Sequence, residues 1–405
     1  MKLNSPLITV VVVLWSLIGS MGVNAAPASA EDINELQIQL QKQQKEITQL
    51  QEKIELTAEM LEMQTEAAPQ TGGHGASGNT QIGGYGELHY NNLRNQTEGG
   101  DDQKEIDLHR AILFVGHDFN ERIRFWSELE VEHAQAGDGK SGGEVSMEQA
   151  YIEFDLNDNM STRAGVLLVP VGILNETHEP TTFYGVERNP IESNIIPTTW
   201  REGGVSLMGK LAEAVSYDLL IHSGLETGSA DNYAVRKGRN SVRKASANDL
   251  AYTGRIKWTG MAGVELAATL QYQGDITQGN DVGAGAATLF ETHAIVQHGA
   301  FAVRALFADW NLSGSGASTL GANRQTGWYI EPAYKLNAKL GLFVRYNQWD
   351  NLAASDSDNK YAQADIGLNY WPHPDVVIKM DYQDQDVPAG TAELDGFNLG
   401  IGYQF

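Results

Sequence analysis

The chain of 405 residues contains no cysteine. Disulfides and thiol chemistry are excluded, and the chain can pass an oxidising compartment without mispairing. Basic residues are scarce. Lys and Arg total 28 against 52 Asp and Glu, a formal net charge of −24, and a nucleic-acid partner is excluded because phosphate backbones require a basic surface. Beyond the N-terminus there is no long apolar run, so no bundle of membrane helices is encoded. A membrane barrel stays open, because its strands turn polar residues inward and average out as hydrophilic. Catalytic signatures are missing too. There is no G-x-S-x-G elbow, no H-E-x-x-H and no phosphate-binding loop, so no enzyme is expected. The ten histidines are scattered, "THEP" at Thr177 is a single His–Glu pair, and neither a metal site nor a cofactor is expected. No motif recurs at a fixed period, which argues against a propeller or solenoid.

The N-terminus reads as an export signal. Lys2 precedes the largely apolar "LITVVVVLWSLI" (7–18). That run is too short for a helix crossing a bilayer, which takes roughly 20 residues. A signal peptide over 1–30 is expected, cleaved at Ala30 or Ala25, with an uncleaved anchor as the alternative. From 31 to 66 apolar residues fall on heptad positions: Ile33, Leu40, Ile47, Ile54 and Leu61 at a, with Leu36, Gln43, Leu50 and Thr57 at d. This predicts a coiled coil; a single amphipathic helix on another surface is the alternative. The Gly-rich segment 67–81 reads as a flexible linker.

After residue 82 the dominant period is two, the signature of strands with one apolar and one polar face. Val264, Leu266, Ala268, Leu270 and Tyr272 alternate with polar neighbours, as do Leu340, Leu342, Val344 and Tyr346, and Val376, Ile378, Met380 and Tyr382. Sixteen strands are expected, near 82–92, 105–118, 121–134, 145–156, 160–169, 203–210, 214–223, 249–259, 262–274, 286–298, 300–310, 324–336, 339–350, 359–371, 374–386 and 394–405. Connections alternate between short and long, and aromatics such as Trp258, Tyr272, Trp328, Tyr334, Tyr346, Tyr370 and Tyr382 gather at strand ends. This is the pattern of an all-β transmembrane barrel of 16 antiparallel strands, with tight turns on one side, longer loops on the other and interfacial aromatic girdles. The last strand carries Phe397, Leu399, Ile401, Tyr403 and Phe405 on one face. It resembles the terminal sorting signal read by the barrel-assembly machinery of the Gram-negative outer membrane.

One connection breaks the pattern. The segment 170–202 contains Pro170, Pro180, Pro190 and Pro197 among Ile, Leu, Phe, Tyr and Trp residues. A loop this long is functional or disordered, and disordered segments seldom hold so many large apolar groups. It is expected to fold against the barrel lumen. With "HRAILFVGHDF" (109–119), "MEQAYIEFDL" (147–156) and "RAGVLLVPVGILNETHEPTTFYGVERNPIESNIIPTTWREGGVSLMG" (163–209), the chain resembles bacterial outer-membrane porins, most closely the phosphate-selective porin O/P-like family. The resemblance implies a trimeric barrel in outer-membrane lipid and lipopolysaccharide, a pore narrowed by its third loop, and passive diffusion of small solutes. The coiled coil would lie in the periplasm and could contact peptidoglycan. Two further readings stay open: a substrate-specific channel for an anion, phosphate or a sugar, and a structural tether.

Candidate pore residues follow from face and charge. The constriction loop supplies Glu176, Glu179, Glu187, Arg188, Glu192, Arg201 and Glu202. The lumen wall supplies Arg110, Arg122, Arg124, Arg163, Arg255, Lys257, Arg304, Arg345 and Lys379. An acidic loop opposite a basic wall implies a transverse field and a weak cation preference. The basic stretch "VRKGRNSVRK" (235–244) suits lipopolysaccharide phosphates, a neighbouring subunit or plain solvation. Deleting Phe405 is expected to impair outer-membrane assembly far more than deleting 31–66. Heat-modifiable protein in outer-membrane fractions is the measure, and a Phe405 deletion assembling at wild-type level would refute the reading of the terminus.

Overall fold

The computed structural model describes residues 79–134 and 143–405. The signal peptide, the coiled coil and nearly all of the linker lie outside the described residues. The strands are β1 (Thr80–Asn95), β2 (Gln103–Asn120), β3 (Ile123–Glu132), β4 (Val145–Asn157), β5 (Met160–Leu168), β6 (Arg201–Ala212), β7 (Val215–His222) and β8 (Ala251–Met261), then β9 (Val264–Gln273), β10 (Ala287–His298), β11 (Phe301–Leu312), β12 (Arg324–Asn337), β13 (Leu340–Asp350), β14 (Tyr361–His373), β15 (Val376–Asp386) and β16 (Leu394–Gln404). Each pairs antiparallel with its chain neighbours, and β16 pairs with β1, so the sheet closes as a 16-stranded barrel. The strands expected from the two-residue period are all present, with ends displaced by a few residues.

Closure is complete at the chain end. Phe405 N–H donates to Gly84 O at 2.9 Å, and Gly84 N–H donates to Phe405 O at 3.0 Å. The terminal residue therefore finishes the ladder that began at Tyr85 and Gln404. Seven two-residue turns join strands at one end; loops of 7 to 32 residues join them at the other. We number the long loops L1–L8 in chain order. L2 is 133–144, L3 is 169–200 and L4 is 223–250.

The outer surface keeps the predicted apolar residues exposed, among them Leu266, Leu270, Tyr272, Val344, Tyr346, Ile378, Met380 and Tyr382, and every outward residue of β16 from Phe397 to Phe405. Exposed apolar surface of this extent belongs to a hydrocarbon environment, not to water. The main hydrophobic core is inside the barrel. Val169, Val171, Ile173, Phe183, Ile191, Ile195, Ile196 and Trp200 of L3 pack against Leu220, Leu289, Leu306, Trp310, Tyr329 and Trp349 of the wall. The short helix α1 (Ile191–Asn194) supplies Ile191, and Ile195 and Ile196 follow directly after it. A second short helix, α2 (Ser315–Leu320), lies in L6.

L3 crosses the lumen and rests on the closing strand. A Cβ built on Gly402 would sit 2.4 Å from Pro180 Cβ, and one on Gly400 would sit 3.1 Å from Val186 Cγ1. Only glycine lets the loop approach so closely. Thr181 Oγ donates to Gln404 Oε1 at 2.8 Å, and Val186 N–H donates to Asp381 at 2.6 Å. Farther along, Trp310 Nε1–H donates to Ile195 O at 3.1 Å, and Asn369 donates to Phe183 O at 3.0 Å.

Trp200 is fully buried, with its ring 6.0 Å from that of Trp310. Trp200→Ala should cost about 3–5 kcal/mol of local stability without opening the barrel. Amide exchange in 169–200 should rise while strand amides stay protected and the protein stays SDS-resistant until heated. Loss of SDS resistance would show that the loop supports the barrel as well as lining it.

Candidate functional site

L3 partitions the lumen. Toward the long-loop end lies a cavity of about 570 Å³, lined by β1–β4, the return arm of L3, the start of β6, L4, and the β13–β16 wall. Below it a cavity of about 210 Å³ is bounded by Tyr151, Arg163, Pro170, Glu176 and Asp218. Pro170 and Glu176 of L3 line the lower space, and residues 183–199 line the upper one, so the loop stands between them.

The loop glutamates do not form a free acidic rim. Glu176 is ion-paired to Arg255, which also binds Asp218 at 2.8 Å. Glu187 lies 2.9 Å from His89 Nδ1 and accepts from Asn91 at 3.2 Å. Glu192 is a structural staple inside the loop. Its carboxylate accepts from the backbone N–H groups of Ile173 and Leu174, both at 2.6 Å, from Asn189 at 2.8 Å, and from the Tyr329 hydroxyl at 3.1 Å. Burial pushes its carboxyl above the ordinary range, and those donors offset part of the rise. Glu202 is fully buried and accepts from Ser223 at 2.6 Å and Trp200 at 3.2 Å. Only Glu179 is half-buried with a side chain left out of these networks. Two of the expected pore glutamates, Glu192 and Glu202, are thus withdrawn from the lumen. Each sits beside backbone or indole donors that only a folded loop assembles.

Cations of the loop region take the opposite course. Arg188 gives one bond, to Thr199 Oγ at 3.0 Å, while its Nε and one terminal nitrogen are buried with no partner among the described residues. Arg201 reaches Ser146 at 2.8 Å and Glu148 at 3.6 Å, and its Nε is likewise unpartnered. L4 sends Arg236 to Ser193 O at 2.5 Å and Arg239 to Thr199 O at 3.0 Å. Burial, with Arg236 and Arg201 close by, pulls Arg239 down to about 10. The basic stretch of L4 therefore splits: Arg236 and Arg239 turn inward, and Arg243 and Lys244 stay exposed.

The wall residues are distributed more unevenly than alternation implied. Arg110 is buried and bonded to Glu87 at 2.5 Å. Arg124 binds Asp155 and Glu153, and Arg163 also pairs with Glu153 while lying over the Tyr151 ring at 4.8 Å. Lys257 is 3.5 Å from Glu265. Arg304 donates to Thr182 O at 2.8 Å, Arg345 joins Asp365, Glu331 and Tyr184 O, and Lys379 lies 3.4 Å from the centre of the Phe183 ring. The last three hold the tip of L3. Arg122 lies at the end of the wall: it occupies the exposed two-residue turn between β2 and β3, its carbonyl accepts from Asp155 N–H at 2.9 Å, and it lines a cavity there with Asp155 and Asp218.

Sequence reasoning missed the imidazoles. His89 and His109 stack with ring centres 4.6 Å apart, and His133 meets His109 edge-on at 6.1 Å. The cause is a bulge between Glu87 and Leu88 against β2, which aims both His109 and Arg110 into the cavity. Strict alternation would send one of them outward, and no sequence signal marks the bulge. A second bulge, opposite Glu128 and Leu129, adds buried Glu148. Glu148 lies 3.2 Å from His178 Nε2 of L3, with Glu128 at 3.6 Å. Burial disfavours a charged His178, but the two carboxylates outweigh it and raise the imidazole to about 10. His178 is thus an imidazolium clamping L3 to the β3–β4 wall. The clamp is at full strength below about pH 6.5, the unfolded value, and is lost as pH rises through about 10.

Comparisons with known proteins agree with this architecture. The family model described as "Phosphate-selective porin O and P" matches residues 81–405. An uncharacterized protein of Aquifex aeolicus (strain VF5) is 33% identical over 334 residues, covering 75% of each chain. The outer membrane channel DcaP of Acinetobacter baumannii superposes with a TM-score of 0.57 at 14% identity, over 80% of this chain and 97% of that one. An anion-selective porin from Comamonas acidovorans gives 0.56 at 12% identity, over 80% and 99%. OmpT of Vibrio cholerae in its trimer form gives 0.52 at 12% identity, over 81% and 100%. With the family model spanning the whole barrel and its inward loop, the chain belongs to the family of phosphate-selective porins O and P.

Proposed function

We propose that the protein is a passive outer-membrane channel for small hydrophilic solutes and ions, narrowed by L3, and not an enzyme. The observation that carries this reading is the segregation of charge across the upper cavity. Arg188 of L3, Arg201 of β6 and Arg236 and Arg239 of L4 lie on one side, with Glu187 among them, and Glu105, Asp107, Glu132 and the histidines lie on the β1–β3 side, where Arg110 is taken up by Glu87. A narrow water-filled slot with opposite charges on its two faces carries a transverse field, and low-dielectric walls focus it. The polarity is the reverse of an acidic loop against a basic wall. We therefore replace the expected cation preference by weak selectivity in which the arginine face favours anions. The family and the OmpT trimer form support a homotrimer. The coiled coil would sit in the periplasm, with peptidoglycan as its candidate contact. Phe397, Leu399, Ile401, Tyr403 and Phe405 would be read by the barrel-assembly machinery, and Lys237, Arg243 and Lys244 would meet lipopolysaccharide.

A second reading, selectivity for phosphate-like anions, is favoured by the unpartnered buried nitrogens of Arg188 and Arg201. The two readings separate on saturation: a diffusion channel passes chloride in proportion to concentration, while an anion site makes the current saturate and lets phosphate block chloride.

In planar bilayers under a salt gradient, Arg188→Gln with Arg239→Gln should move the reversal potential toward cations. Glu176→Gln with Glu187→Gln should move it less, because both carboxylates are already paired. The arginine effect should shrink at high salt, as the screening length falls from about 10 Å at 0.1 M to about 3 Å at 1 M. A larger shift from the glutamate pair would reverse the assignment. The His178 clamp adds a pH test. Open-channel current noise should be low near pH 6 and grow toward pH 10, and His178→Gln should be noisy at both; noise independent of both changes would remove the clamp.

A further inference from the structure

The imidazoles on the β1–β2 wall have a geometry that general diffusion does not require. His89 Nδ1 is 2.9 Å from Glu187 Oε1. One ligand-capable atom from each of His89, His109 and Glu187 lies within 4.8 Å of the others, and all three line the upper cavity. Each imidazole also has a carboxylate behind it. Glu87 Oε2 is 3.4 Å from His89 Nε2, and Asp107 Oδ2 is 3.5 Å from His109 Nδ1. Metal-bound histidines characteristically donate their second ring N–H to such a group, which fixes the tautomer and raises ligand basicity. Neither contact is yet a hydrogen bond: Glu87 Oε2 has no partner among the described residues, and Asp107 Oδ2 is 2.8 Å from His133 Nδ1, so both carboxylates are placed to orient the rings when a metal engages them.

We propose that His89, His109 and Glu187 bind a divalent transition-metal ion of the Zn²⁺, Cu²⁺ or Ni²⁺ class, with Glu87 and Asp107 as positioning residues. Imidazole nitrogens select such ions, whereas Mg²⁺ and Ca²⁺ call for oxygen ligands. With bonds of about 2.0–2.1 Å, adjacent donors of a tetrahedral site lie ~3.3 Å apart. The His89–Glu187 pair is close to that spacing. His109 and Glu187 side chains are 38% and 41% exposed, free enough to close the remaining gap. Three protein ligands leave a coordination position open to water or a passing anion. The other His–carboxylate trio, Glu128, Glu148 and His178, is buried and already compensated by Arg201, and it lacks an approach for an ion. A dication on the β1–β2 wall would cancel the acidic face of the slot, so metal would turn the channel toward anions.

The site rests on the geometry of the cavity, and conduction enters only one of its two tests. In equilibrium dialysis of the full folded protein against ZnCl₂, wild type should bind one more Zn²⁺ per chain than His109→Gln. Asp107→Asn should weaken that binding about 10–100-fold, and MgCl₂ should not compete. In bilayers, Zn²⁺ added to the long-loop side should shift the reversal potential toward anions in wild type and not in His109→Gln. If His89→Ala fails to fold, the half-exposed His109→Gln still gives the readout. Equal Zn²⁺ binding by wild type and His109→Gln, or indistinguishable effects of Zn²⁺ and Mg²⁺, overturns the site. A protein that binds Zn²⁺ through His109 but passes no current would fail the channel reading and leave the metal site standing.

Discussion

The constraint on which everything else depends is closure of the backbone ladder. Inside hydrocarbon an unpaired N–H or C=O has no water to turn to, and each costs several kcal/mol. The sheet must meet itself, and it does so between β1 and β16. Once it is closed, every strand has an inside and an outside, and the period of two assigns each residue to one or the other. The exposed aliphatic and aromatic belt is the outer consequence. The inner consequence is a tube too wide for wall side chains to fill, which leaves room for a loop.

L3 fills that room by building a core of its own. Buried Ile, Val, Phe and Trp residues anchor it on the β7–β13 side, while charged and polar contacts fix its tip on β11–β16 and its shoulder on β3 and β4. The division of labour is physical. Apolar burial supplies most of the stability without direction, and the ion pairs and hydrogen bonds set where the crossing occurs. What remains open is a slot along the β1–β3 wall. Its character is set by the charges that neither core nor clamp consumes.

How much of this was legible in the sequence depends on the kind of regularity involved. The sixteen strands were, because alternation repeats over every one, and the inward loop was, because its apolar content had to be buried. The charge of the slot was not. Glu176, Glu187, Glu192 and Glu202 count as four negative charges in a sequence, and a sequence does not show that Arg255, His89, backbone amides and Ser223 have claimed them. Arg122 falls in a turn, at the rim and not within a strand, because the turn begins before the alternation ends. His109 escaped notice because a bulge breaks alternation by one residue and leaves no trace in composition. Arg236 and Arg239, read as a possible outer patch, turn inward because the return arm of L3 offers them carbonyls.

The glycines of the closing strand tie the bore of the channel to its wall. The tip of L3 lies on Gly400 and Gly402, so the strand that closes the sheet is also the floor on which the loop tip is seated. The apolar part of the loop is held by β7–β13, so β16 bears on the position of the tip alone. A side chain added at either glycine would displace the tip, and the bore would change with no change in the charges that line it.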